Sequence, residues 1–155
     1  MQSYQFDDRA ITWNTFDYLG TQYYVQAVDA ARGIADVLIK FQPNMPGKLH
    51  QHLMDYSTFV LQGELRFWRP DGSLKEIRPT GSYVHGTAHG EPHAEGAGDQ
   101  AAIVLFSIRG GTGDMFAIFE EGSDTVHKLG FADFAAALAG QVTTGVPATS
   151  ASRAA

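Results

Sequence analysis

The chain has 155 residues, of which 44% are hydrophobic, with ten Phe, six Tyr and two Trp, enough for one sizeable core and against general disorder. A net charge of −6 argues against nucleic acid or an anionic membrane surface as a partner. The absence of cysteine excludes disulfide frameworks, zinc fingers, thiol catalysis and iron–sulfur clusters. The opening residues, Met1 to Arg9, carry neither a basic segment nor an apolar run, and no stretch approaches the roughly 20 apolar residues of a bilayer span. These features lead us to expect a soluble, cytoplasmic globular domain.

Short strands are expected over most of the length. Ile11–Tyr18, Gln22–Ala30 and Ile34–Gln42 are rich in aromatic and β-branched residues, separated by Leu19-Gly20 and Ala31-Arg32-Gly33. Ser57–Gln62 bends through Gly63 into Glu64–Arg69, and Pro70-Asp71-Gly72 is a turn signal. Leu74–Arg78, Ser82–His85, Ala101–Arg109 and Met115–Glu120 follow. So many short strands without a long helix point to an all-β sandwich or barrel. One helix is expected over Phe131–Ala139, where Phe131, Phe134, Ala135 and Leu138 form an apolar stripe and Gly140 can close the end. Residues 1–140 are expected to form one domain. Gln141–Ala155, rich in Ala, Thr and Ser, reads as a mobile tail.

Five of the six histidines lie between positions 50 and 93. His50-Gln51-His52 is the sharpest feature, because residues i and i+2 of a strand face the same side, so both imidazoles can converge on one metal ion. The same pair could also simply hydrogen-bond at a barrel mouth. His127 stands apart and reads as a strand-end residue.

The spacing around this pair resembles the first motif of the cupin superfamily. Asn44 occupies a glycine position, tolerated because Asn visits left-handed conformations, and Gly63 closes the motif. The glutamate position holds Tyr56, or Ser57 with spacing one residue longer. Asp55 is adjacent but falls on the opposite face of a strand from Tyr56. Gly81 to His93 resembles the second motif more loosely, with Thr87 at a proline position and Ala97 where Asn would stand. Ile11-Thr12-Trp13, Gly81-Ser82, Ala102–Ile108, Arg109-Gly110 and Met115–Ile118 extend the likeness. It is to small single-domain cupins that include acetylacetone-cleaving and dihydroxyacetophenone dioxygenases.

That resemblance implies a double-stranded β-helix, or jelly-roll barrel of the RmlC-like type. It also implies Fe(II) held by His50, His52 and His93, with His89 and His85 as rivals for the third position. Zn, Ni or another divalent transition metal would suit nitrogen ligands too. Three neutral imidazoles would leave the ion its full +2 charge and favour an anionic bidentate substrate. The implied reaction is O2-dependent C–C cleavage of a small β-diketone or hydroxy-ketone. Tyr56 and Glu91 are the catalytic candidates beside the metal, with Tyr83 a further pocket candidate. A metal-binding cupin without turnover, or a zinc-dependent hydrolase, lyase or isomerase, is the alternative. Exposed strand edges favour a homodimer or homotetramer.

Overall fold

A computed structural model of the chain describes residues 5–16, 21–141 and 149–150. The aromatic and β-branched runs of the N-terminal half form an antiparallel meander of β1 (Asn14–Phe16), β2 (Thr21–Asp29) and β3 (Ile34–Phe41). The first strand is shorter than the Ile11–Tyr18 expected. The expected Leu19-Gly20 turn lies outside the described residues. After the meander come β4 (His50–His52), β5 (Asp55–Gln62), β6 (Glu64–Trp68), β7 (Leu74–Pro79) and β8 (Tyr83–Gly86). The remaining elements are β9 (Ala94–Ala97), β10 (Ala102–Arg109), β11 (Asp114–Phe119), β12 (Val126–Gly130), α1 (Phe131–Gly140) and β13 (Thr149–Ser150).

One large sheet runs in the order β1-β2-β3-β10-β5-β8, and two three-stranded sheets run β12-β11-β4 and β7-β6-β9. The two small sheets meet where His50 and His93 exchange both backbone hydrogen bonds, each 2.9 Å, as an isolated antiparallel bridge. Alternation is clean along β5, where Tyr56, Thr58, Val60 and Gln62 are buried and Asp55 and Phe59 are exposed. Strand β10, between β3 and β5, buries Ile103, Val104, Phe106 and Ile108 at the centre of the core.

Turn chemistry follows the sequence closely. Asn44 has φ 55°, in the left-handed region as its glycine position requires. Gly63 has φ 68°, and a Cβ there would stand 2.7 Å from the Ala101 carbonyl oxygen, so this bend needs glycine twice over. Asp71 accepts the Ser73 N–H at 2.8 Å beside Gly72 at φ 83°. Helix α1 begins where expected, and Asp133 Oδ2 accepts the Gly130 N–H at 2.8 Å. Its buried face is Phe131 and Phe134, with Ala137 and Leu138 packed behind, while Ala135 is exposed. The chain leaves the helix through an extended Gln141 (φ −75°) rather than a left-handed glycine.

That residue bears on the tail. Strand β1 covers β2 only as far as Tyr23. Beyond it, the Gln141 amide takes over the exposed edge, donating to the Val25 carbonyl and accepting the Val25 N–H, both at 2.9 Å. Thr149 and Ser150 then pair with Ala27 and Val28. The rest of the expected mobile segment, 142–148 and 151–155, lies outside the described residues. Gln141→Ala should therefore destabilise the fold by about 1–3 kcal/mol, the cost of leaving two buried backbone groups without partners. Denaturant unfolding of that variant beside a chain ending at Gln141 checks this, and the truncation should retain the Gln141 contribution.

Candidate metal centre

The HxH alternation works as the strand geometry requires. In β4, His50 and His52 turn inward and Gln51 turns out, its amide donating to the Gly90 carbonyl at 2.9 Å. The His50–His93 bridge sets a third imidazole beside them, because paired residues of an antiparallel ladder project to the same face. The ring centroids lie 5.1 Å (His50–His52), 4.9 Å (His50–His93) and 5.2 Å (His52–His93) apart. All three residues are buried.

The fourth member was not foreseen. Glu95, only 4% exposed, stands two residues beyond His93 on the same face and aims its carboxylate at all three rings. Its Oε1 is 3.1 Å from His93 Nε2 and 3.4 Å from His52 Nε2, and its Oε2 is 3.5 Å from His50 Nε2. One ligand atom from each of the four residues falls within 4.8 Å of the others. The three imidazoles expected to converge do so, and the structure adds a carboxylate that the sequence reading did not place beside them. The carboxylate comes from β9, not from the Tyr56 or Ser57 position. The alternation that singled out His50 and His52 applies equally to His93-Ala94-Glu95, and that was the available signal.

Electrostatics bind the cluster together. Burial alone would push the Glu95 carboxyl up, but the His50 charge and hydrogen bonds from the three rings outweigh it and hold it well below the usual carboxylate range. Burial pulls His50 down, yet the Glu95 charge and the Lys48 carbonyl leave it raised. For His52 burial prevails, and the ring is lowered to about 4.

Donor chemistry favours a metal here. His50 Nδ1 lies 3.0 Å from the Lys48 carbonyl oxygen, which can only accept, so Nδ1 carries a proton. In the neutral ring the Nε2 lone pair then points at the carboxylate, an arrangement that a proton or a cation must bridge. A carbonyl holding the outer nitrogen of an imidazole is the usual way a metal-binding histidine is oriented. The four residues thus fit a divalent transition metal, although they do not by themselves select one.

The other candidates are placed as follows. Tyr56 stacks on His52 at 3.7 Å and 14°, and burial, reinforced by the Glu95 charge, keeps its phenol protonated. Glu91 lies away from the cluster in an exposed ion pair with Lys75 at 3.4 Å. Asp55 is exposed and accepts the Ala88 N–H at 2.8 Å. His85 is exposed, 3.3 Å from the Ser57 hydroxyl. His89, also exposed, donates its backbone N–H to the His52 carbonyl. Tyr83 is exposed against Phe59, and His127 sits 3.2 Å from Glu120.

A cavity reaches His50 and Glu95 from the apolar side, walled chiefly by Phe41, Phe106, Phe116, Phe134, Ile39 and Ile118. Among the described residues no helix is long and apolar enough to cross a membrane.

No family model and no curated protein matches the sequence. Solved structures do. An RmlC-like cupin protein from Ralstonia eutropha aligns with a TM-score of 0.66 at 16% identity, over 96% of each chain. An acetylacetone dioxygenase from Acinetobacter johnsonii aligns with a TM-score of 0.65 at 11% identity, over 88% of this chain and 90% of that one. The polyketide cyclase RemF from Streptomyces resistomycificus gives 0.54 at 18%, over 70% and 80%. The fold is that of the cupins. Within that fold the chain carries a buried three-histidine, one-glutamate cluster.

Two measurements test this geometry. A Cβ on Gly86 would lie 2.5 Å from the Tyr56 ring, so Gly86→Ala must push that ring off His52. It should destabilise the protein by about 1–3 kcal/mol, read by denaturant unfolding. The second concerns pH in the metal-free chain. Unfolded His52 gains a proton near 6.5 whereas folded His52 gains it only at about 4, so its contribution falls as pH drops through that interval. The raised His50 contributes stability fully present below 6.5 and lost as pH rises through its folded value. Glu95 contributes above about 4.5 and loses this only as pH falls through its lower folded value. Between pH 6.5 and 4.5 the His52 slope is therefore isolated, and His52→Gln should flatten it.

Proposed function

We propose that this cupin is a non-haem Fe(II) dioxygenase that cleaves a C–C bond in a small β-diketone or hydroxy-ketone bound as an anion. The observation that carries the reading is the buried His50, His52, His93 and Glu95 cluster opening onto an apolar cavity. The dioxygenase from Acinetobacter johnsonii, which has the same fold, supports it. When bound, iron would supply Lewis acidity toward an enolate and one-electron chemistry toward O2. For a diketone the atoms balance when one O2 is consumed per substrate. The bond between one carbonyl carbon and the central carbon breaks, giving a carboxylic acid and a 1,2-dicarbonyl product.

The chain's own residues have separable roles. His50, His52 and His93 would hold the ion through their ring nitrogens, and Glu95 would give the set its one negative charge. Tyr56 fixes the His52 plane by stacking and brings a protonated phenol close to the cluster. The phenylalanine walls exclude water and strengthen every electrostatic interaction within.

A second reading has its own support. Four protein donors would also suffice to fill the coordination shell of a four-coordinate zinc, leaving no open position for substrate. Elemental analysis of the purified protein and oxygen uptake with β-diketones and aryl hydroxy-ketones separate the two. We expect His50→Ala, His52→Ala, His93→Ala and Glu95→Ala each to lower metal affinity by at least about tenfold. His89→Ala and Glu91→Gln should retain both metal and turnover. Stoichiometric zinc with no oxygen uptake would favour the second reading, and full metal retention in Glu95→Ala would remove the carboxylate from the centre.

A further inference from the structure

A buried arginine stands near the cluster with no part in the proposed reaction. Arg78, on β7, is 7% exposed, and three hydrogen bonds hold its guanidinium in place. Its Nη1 donates to the Thr58 hydroxyl at 2.7 Å, while Nε and Nη2 donate to the two Glu76 carboxylate oxygens at 2.8 and 3.1 Å. Arginine is almost never fully buried unless paired, and the two-pronged pair with Glu76 meets that requirement. The same guanidinium carbon lies over the Phe67 ring, 4.2 Å from its centroid.

Phe67 is the link to the histidines. It pairs with Glu76 on β7 and with Glu95 on β9, so the three side chains form one cross-strand row on the inward face. Its ring, 2% exposed, meets the His93 imidazole nearly at right angles, 5.1 Å between centroids and 81° between planes. His93 Nε2 faces Glu95, and the phenyl ring limits how far the imidazole can turn about that direction. Thr58, the other anchor of Arg78, lies two residues from Tyr56 on the buried face of β5. One guanidinium thus ties the strand whose Tyr56 stacks on His52 to the ring that abuts His93.

We infer that Arg78 is a positioning residue for the metal centre, its guanidinium clamping the Phe67 ring that sets the plane of the His93 imidazole. A purely electrostatic role predicts the opposite effect on metal binding. A cation near the cluster repels a metal ion, so removing Arg78 would tighten binding, and the Glu76 charge left behind would add to the attraction. Removing a clamp frees Phe67 and His93 and weakens binding instead. Lysine is no substitute, because a point charge on a flexible stem lacks the planar fork that reaches Thr58 and both Glu76 oxygens together. The inference rests on the proposed metal centre but not on the proposed reaction with O2.

The test uses the full chain with Co(II), whose visible absorption reports binding, and nuclear Overhauser contacts between the Phe67 and His93 rings in the metal-free chain. Arg78→Met should weaken those contacts and lower Co(II) affinity about tenfold, the scale of losing an outer partner of a ligating histidine. Phe67→Leu should cost about as much. The double variant should lose no more than about twofold beyond either single one, because a clamp acting through Phe67 then has nothing to hold. Arg78→Lys should restore little of the loss. If Arg78→Met does not fold by circular dichroism, Glu76→Gln carries the test, since it loosens the guanidinium without removing it and should shift both readouts the same way. Unchanged or tightened Co(II) binding, losses that multiply in the double variant, or full rescue by lysine would each overturn the inference. A wild type that binds no Co(II) overturns the proposed centre, and the ring contacts in the metal-free variants then decide whether Arg78 sets His93. Absence of oxygen uptake counts against the proposed reaction alone.

Discussion

A carboxylate almost without solvent, set against three imidazoles, is the constraint on which the centre of this molecule depends. An unpaired buried charge would be expelled, or would neutralise itself by taking up a proton. Glu95 stays ionised because His50, His52 and His93 present their Nε2 atoms to it from three directions. The dependence runs both ways, since three buried rings facing one another without an anion could not share a proton or a cation comfortably. Convergence of these groups requires β4, the His50–His93 bridge and β9 to meet edge to edge. The meeting of the two small sheets is therefore also where the chemistry sits.

The long strands play a different part. β2, β3, β10 and β5 supply most of the apolar core, and they bring Phe106 and Tyr56 up behind the histidines. His52, Tyr56 and Phe106 lie nearly parallel, with His52 tilted 14° from Tyr56 and 5° from Phe106. His52 is thus oriented by stacking, whereas His50 is oriented by the Lys48 carbonyl. Gly86 pairs with Tyr56 across β5 and β8, and it is the position that leaves space for the phenol. A ring held by packing answers to changes in volume, and one held by a carbonyl answers to changes in protonation.

Much of this was legible before any coordinates. Period-two burial and turn residues located most strands, and Asn44 and Gly63 adopt the left-handed backbone their motif positions require. His50 and His52 followed from alternation alone. Glu95 did not, because Ala94-Glu95-Gly96-Ala97 has little β-propensity and its strand exists only through pairing with β6. Gly96 is demanded there by close approach, since a Cβ would meet Pro46 Cα and the Trp68 ring at 3.0 Å. Gln141 was hidden for a related reason. Its role is to complete an edge of β2 more than a hundred residues away, and no local pattern encodes that. Both misses are long-range pairings made by residues whose local sequence suggests a loop.

The carboxylate alters the electrostatic argument about substrate without reversing it. Three neutral imidazoles around a divalent ion would leave a net charge of +2, and a bound monoanion would reduce it only to +1. With Glu95 ionised, the same donors and ion sum to +1, and one monoanion brings the sum to zero. The adjoining wall is largely phenylalanine and isoleucine, a medium that penalises any residual charge. Neutrality on binding is the state such a wall stabilises best, so Glu95 matches the centre to a monoanion more closely than three histidines alone would. A dianion would overshoot into a net negative charge within the same apolar walls. A monoanion is thus the charge state that a divalent ion held by this donor set and the apolar walls would favour together.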